Sequence, residues 1–390
     1  MASRRVQLAQ RRKAAGLSQE SLAALLGIDR STVVRWEAAD TAPQPWLRPK
    51  LADALSITVD ELDALLAEVS EATNHLDGLA AERPRMSIRL GDGPRLEAVV
   101  EHLREHWHLL VKTDNLLGPR HALSGVLGQL DTINELLTTA STSGRPQVVR
   151  LAAQYAESAS WLYEDSGGMA EARQWSGRAL EWAIEADDPL MTSWVLFRRS
   201  QQAVPSGNAA QVLGLAGAAR RAAPDLLPPM RAALDQHEAH GLALDGDEAS
   251  AQRKLDDAHT WAATDVAGDA RTGHGSFCTA SYIEVQRAGC WLTLGKPARA
   301  IQLYEATLPG LPDVYRRDRG IALGRLASAY AASGEPEAAA KTATDALSIG
   351  QEVGSARTLG VVRAVGKTLD RHRELPAVAQ LMRELVTEAR

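Results

Sequence analysis

Gln19-Glu-Ser-Leu-Ala-Ala-Leu-Leu-Gly27-Ile-Asp-Arg-Ser-Thr-Val-Val-Arg-Trp-Glu-Ala38 carries two short runs of helical periodicity parted by one glycine. Leu22 and Leu26 recur at a four-residue step before Gly27, and Val33 and Trp36 at a three-residue step after it, the spacing of one helix face. Gly27 supplies the left-handed backbone that a tight turn needs. Ser18 precedes the first run and Asp29 the second, each suited to cap free N–H groups. Helices are therefore expected over Gln19–Leu26 and from Arg30 to about Ala38. Working outward, the same periodicity predicts a helix over Arg4–Ala15 and two more over Trp46–Leu55 and Val59–Leu66, with Pro43 and Pro45 as punctuation.

These residues resemble the helix-turn-helix of the Cro/C1 (XRE-like) repressor family. Leu22, Leu26, Ile28, Val33 and Trp36 stand where its two helices meet, Ala23 at their closest approach and Gly27 in the turn. The resemblance implies a DNA-binding domain over residues 1–68 whose third helix enters the major groove. It puts Arg30, Ser31 and Arg35 at base-reading positions, with Thr32 and Val34 beside them. Arginine suits that task because its fork pairs with O6 and N7 of guanine. Gln19 falls at a phosphate-contacting position, at a helix N-terminus that favours an anion. Arg48 and Lys50 would add phosphate contacts, with exposed surface charge as the equal alternative. Arg12 and Glu37 take the family's internal ion-pair positions, and Trp36 belongs to the core. The other reading of the module is a helix-turn-helix turned protein-docking domain.

Charge agrees with a polyanion partner for this module, with solvated surface charge as the equal alternative. Residues 1–50 hold nine Lys and Arg against four Asp and Glu, whereas the whole chain is -6.

Residues 69–95, with Asn74, Gly78, Pro84, Gly91, Gly93 and Pro94, read as a linker. Beyond it, over 96–390, the chain is helical in pattern and repetitive. The turn positions Gly167, Gly207, Gly246, Gly295 and Gly334 are 40, 39, 49 and 39 residues apart. Seven residues before each lies a small side chain: Ser160, Ser200, Ala239, Ala288, Ala327. Five after come Ala172, Val212, Ala251, Ala300, Ala339, and twelve after come Ala179, Ala219, Ala258, Thr307, Ala346. A sixth copy has Arg373 at the turn with Gly366, Val378 and Leu385, and Leu96–Leu117 with Pro119–Thr138 forms a divergent first pair around Gly118. Small residues let two helices cross closely. The pattern resembles the tetratricopeptide repeat, with Tyr163, Trp291 and Tyr330 at one of its bulky positions, but its period exceeds that repeat's 34 residues. The expected fold class is all-α: a five-helix Cro/C1-like domain followed by an α-solenoid of helix pairs with longer helices or loops.

By the repeat resemblance, an inner concave surface carries Gln154, Glu157, Trp161 and Glu164, then Trp194, Phe197, Gln201 and Val204, then Gln236 and His240, then Tyr282. Trp161, Trp194, Phe197, Arg198, Gln201 and His240 are the expected effector site. Their mixture of aromatic walls and polar fixers suits a peptide or small molecule, though the aromatics would equally fill the core between helices. The loop Asp265–Cys278, rich in glycine, is a second place for a ligand, against the commoner reading of an inert surface insertion between repeats.

Other chemistry finds less support. His102-Leu-Arg-Glu-His106 fits a zinc-protease string but lacks a third ligand. Cys278 lies near His274 without an oxyanion site, and neither phosphate-binding nor dinucleotide fingerprints occur. No enzyme, metal or cofactor is therefore expected. Two cysteines make no disulfide framework, and the start lacks an apolar segment, so a soluble cytoplasmic protein without membrane contact is expected. A helix-turn-helix joined to helical repeats resembles quorum-sensing regulators of Gram-positive bacteria, whose repeats bind a signalling peptide. It also resembles actinobacterial regulators of like architecture, toward which the arginine-rich, lysine-poor composition leans. The expectation is a transcriptional regulator, homodimeric on a palindromic double-stranded DNA operator and gated by an effector. The alternative is a scaffold or antitoxin-like protein acting through a protein partner.

Overall fold

Ser18 opens the second helix as a capping residue should, its Oγ accepting from the Ser21 N–H at 3.0 Å. The structure is a computed structural model that describes residues 6–38, 41–44, 47–67, 93–264, 277–311 and 315–388. The chain divides into two compact units, Met1–Met86 and Ser87–Arg390. Among the described residues every regular element is a helix.

In the first unit the helices are α1 (Val6–Ala14), α2 (Gln19–Leu26), α3 (Arg30–Glu37), α4 (Arg48–Ala54) and α5 (Val59–Ala67). Gly27 ends α2 at φ 72°. Asp29 holds the N-cap place of α3, but its side chain makes no capping bond, so there the extended backbone alone starts the helix. A capping box that the periodicity overlooks starts α5. The Glu61 N–H donates to Thr58 Oγ1 at 3.2 Å and the Thr58 N–H to Glu61 Oε2 at 2.8 Å. That backbone bond, first among the causes, lowers the pKa of Glu61. The core gathers Leu8, Leu22, Ala23, Leu26, Val33, Trp36, Leu51, Leu55 and Leu62, with Ile28 packed at its margin.

The second unit is a run of antiparallel pairs: α6 (Pro94–Leu117) with α7 (Pro119–Thr139), α8 (Arg145–Asp165) with α9 (Met169–Glu185), and α10 (Pro189–Ala203) with α11 (Ala209–Ala222). Then come α12 (Pro228–Asp245) with α13 (Glu248–Thr264), α14 (Ala280–Thr293) with α15 (Pro297–Thr307), α16 (Arg316–Ala332) with α17 (Pro336–Glu352), and α18 (Ala356–Leu369) with α19 (Pro376–Glu388). Each of the five aligned turn glycines has a positive φ, between 69° and 91°. The small residues seven before and five after each turn are all buried. Serines add a bond at that crossing: Ser160 Oγ donates to the Ala172 carbonyl at 2.8 Å and Ser200 Oγ to the Val212 carbonyl at 2.9 Å.

Three positions depart from the repeat, one of them Leu385, which is only half-buried in α19. Thr307 is only half-buried because α15, 11 residues long, ends there and passes into a 3-10 turn. Arg373 keeps φ -63° after a 3-10 turn over Asp370–His372, so α18 and α19 are joined without a left-handed residue. Among the described residues no helix is long and apolar enough to cross a membrane.

Candidate functional site

Val33 and Trp36 pin α3 to the core of the first unit, 1% and 3% exposed, and that leaves the opposite face free. Arg30, Ser31, Val34 and Arg35 are exposed on it, and Thr32 is half-buried. Arg12 donates from Nε to Glu37 Oε1 at 2.6 Å and from Nη1 to the Leu17 carbonyl at 2.7 Å. Gln19 Nε2 donates to the second Glu37 oxygen at 2.8 Å, which leaves Gln19 Oε1 to receive Arg30 Nη2 at 3.4 Å. Arg30 Nε also meets Glu20 Oε1 at 3.0 Å, a residue the sequence reading did not single out. The internal ion pair thus positions the amide, and the amide and Glu20 together hold the arginine at the front of α3. Arg35 Nη2 reaches Thr32 Oγ1 at 3.3 Å. Arg48 is half-buried and donates from Nε to the Pro43 carbonyl at 3.3 Å, whereas Lys50 is exposed.

In the second unit the expected effector residues gather, at two depths. Trp161, Arg198 and Gln201 are half-buried and reach the surface, whereas Trp194, Phe197 and His240 lie beneath them in the core. The Trp194 and Phe197 rings are 4.7 Å apart, and Phe197 meets His237 edge-on at 4.9 Å. Arg198 is the roof over this floor: its guanidinium lies 4.5 Å from the Trp161 ring centre and 5.0 Å from that of Trp194. It donates to Glu157 Oε1 at 2.8 Å and to Gln201 Oε1 at 3.0 Å. His240 pairs with Gln286 Oε1 at 3.2 Å and Cys290 Sγ at 3.5 Å. Burial, reinforced by the Arg325 charge, lowers its pKa to about 4.

Four groups that the inner-row positions missed face the same interior. Arg317 Nη2 donates to Asp114 Oδ2 at 2.6 Å, and Arg357 Nε lies 3.2 Å from Asp165 Oδ1. Asp318 is half-buried among Arg317, Arg357 and Arg198, its pKa raised first by burial. Arg325 Nη1 donates to Gln286 Oε1 at 3.2 Å. Arg317, Asp318 and Arg357 stand 16 or 17 residues before a turn position, one helical turn beyond the rows considered, and extending the rows by that turn would have found them. The loop 265–276, including His274, lies outside the described residues. Burial pushes the Cys278 thiol well up and that of Cys290 up to about 12. The His102 and His106 rings are stacked 6.4 Å apart, and among the described residues no three His, Cys, Asp or Glu are grouped to hold a metal ion.

The comparison with family models matches residues 8–62 to the helix-turn-helix family. The N-terminal module is a Cro/C1-type helix-turn-helix domain. Among solved structures the chain is similar to the crystal structure of a Rap protein complexed with competence and sporulation factor. The two are 12% identical, with a TM-score of 0.50, and the match covers 95% of this chain and 98% of that one. At that identity the likeness concerns the fold: helical repeats follow the helix-turn-helix domain. No curated protein sequence matches the chain.

Proposed function

We propose that the chain is a sequence-specific DNA-binding transcriptional regulator whose helical repeats take a peptide or small-molecule effector. The observation that carries this is the exposed face of α3, where Arg30, Ser31, Val34 and Arg35 stand clear of a helix-turn-helix core built to hold them outward. Arg30 and Arg35 read guanine edges, Val34 offers an apolar contact of the kind a thymine methyl accepts, and Ser31 and Thr32 bond bases beside them. Gln19 and Arg48 hold the phosphates. One such helix covers few base pairs, so a homodimer on a palindromic operator supplies the affinity. Residues 1–68 form the DNA-binding domain, 69–95 the linker, and 96–390 the sensing and dimerisation domain.

The effector occupies the surface of Trp161, Arg198 and Gln201, with Trp194, Phe197 and His240 supporting it from beneath. The similarity to a repeat protein complexed with a second molecule favours this over a purely structural body. Native mass spectrometry of protein purified from its own host tests it. A retained molecule is expected in the wild type and its loss in a Gln201→Ala variant whose helix content matches the wild type. Retention by both in equal amount places the ligand elsewhere, and a wild type that carries nothing favours the scaffold reading.

A further inference from the structure

The two ends of the repeat array meet. A Cβ on Gly118, in the α6–α7 turn, would lie 2.1 Å from the Val353 carbonyl oxygen just after α17. A Cβ on Gly167, after α8, would lie 3.2 Å from that of Ala356 in α18. Across this seam Ser355 Oγ donates to Asp165 Oδ1 at 2.8 Å, joining residues 190 apart. Arg317 Nη2 donates to Asp114 Oδ2 across 203 residues. A solenoid needs contacts only between neighbouring repeats, so this closure comes from particular side chains rather than from the repeat itself.

The seam is poorly satisfied for a buried one. Arg317 Nη1 lies 3.1 Å from Asp165 Oδ2 and Arg357 Nε 3.2 Å from Asp165 Oδ1, yet Nη1, Oδ2 and Nε are all without an aligned hydrogen bond, as is Asp114 Oδ1. Buried polar atoms left without aligned partners carry a desolvation cost: burial raises the pKa of Asp114 against the pull of Arg317, whereas for Arg317 burial is outweighed by Asp114 and Asp165, which raise its pKa. The helix pairs on either side keep separate apolar cores, so the seam can part without unfolding them. Trp161 belongs to both places at once. Its ring lies 4.5 Å from the Arg198 guanidinium, 5.3 Å from that of Arg317 and 4.5 Å from that of Arg357. The seam arginines therefore cover the ring on which an effector would stack.

We propose that Arg317 and Arg357, with Asp114, Asp165 and Ser355, form a latch that closes the repeat array and shields Trp161, and that its release opens the effector surface. The assignment of that surface rests on the function proposed above, whereas the closure does not, and its test needs no effector. Spin labels at Arg120→Cys and Gln351→Cys, exposed positions either side of the seam, report the gap in the full chain while both native cysteines are buried. Hydroxyl-radical oxidation of Trp161, read by mass spectrometry, reports its cover. The wild-type array is expected to give one narrow distance and slow oxidation. Arg317→Met should lengthen and broaden the distance and speed Trp161 oxidation several-fold, with helix content retained. Gly118→Ala, which wedges the seam at the Val353 carbonyl and leaves every charged side chain of the network in place, should do the same and decides the matter if Arg317→Met does not fold. Wild-type distances and oxidation in a folded variant of either kind overturn the latch. Loss of fold in both also overturns it, since a latch must release without unfolding.

Discussion

His240 shows what a single buried residue imposes on the molecule. Its folded pKa of about 4 lies below the ordinary histidine value of 6.5, so between those values the unfolded chain binds a proton that the folded chain does not. Stability is then complete above about pH 6.5 and falls as the pH drops toward 4, by about 1.4 kcal/mol per unit from this group. Asp114 and Asp318, whose pKa values burial raises, act in the opposite sense in acid, so the contribution is read by difference. His240→Gln is expected to melt less steeply with falling pH than the wild type, and equal slopes in thermal melts at pH 7 and pH 5 would contradict this. At this scale the resemblance to the helix-turn-helix family disclosed two roles, Trp36 as core and Arg12 with Glu37 as an ion pair, and the structure holds them so. The sequence did not disclose which of Trp161, Trp194 and Phe197 faces water. All three are aromatic on the inner helix of a pair, and depth depends on what packs above them, here Arg198.

Among the elements, the turns are where local sequence speaks most clearly. Gly246 holds φ 84° between α12 and α13, with nothing within 4 Å of the place a Cβ would take, so an alanine there meets strain but no clash. Gly246→Ala is expected to lower stability by about 1–2 kcal/mol, the cost of a left-handed residue with a side chain. Gly128 lies inside α7, has no positive φ and is equally uncrowded, so Gly128→Ala should raise stability by about 0.5–1 kcal/mol. Denaturant melts of the two variants check both signs, and a shift in the same direction for both would contradict the turn assignment. The turns between pairs stayed hidden. Asp187, at φ 48°, and Gly354, at φ 65°, take left-handed backbone after α9 and α17, but one is no glycine and neither fits the aligned spacing. Hidden too was the seam, because a bond between residues 203 apart leaves no trace in a repeat of some forty residues.

For the whole molecule, the distribution of charge matters more than its sum. A chain of -6 with its basic excess in residues 1–50 suits a polyanion partner at that module alone, and binding of that kind weakens steeply with salt. The two-part organisation was legible because each part has its own periodicity, a twenty-residue motif and a forty-residue repeat. The account stands or falls on whether α3 reads bases. The most direct measurement is a fluorescence-anisotropy titration of the full chain on a labelled duplex from its own promoter and on a scrambled duplex of equal length, in rising salt. Wild type, Arg30→Ala, Arg35→Ala and Gln19→Ala are compared. The predicted result is tighter binding to the promoter, a loss of about 1–3 kcal/mol of that discrimination in each arginine variant, and an equal weakening on both duplexes for Gln19→Ala. Equal affinity of the wild type for the two duplexes, or arginine variants that discriminate as well as it does, would contradict the account.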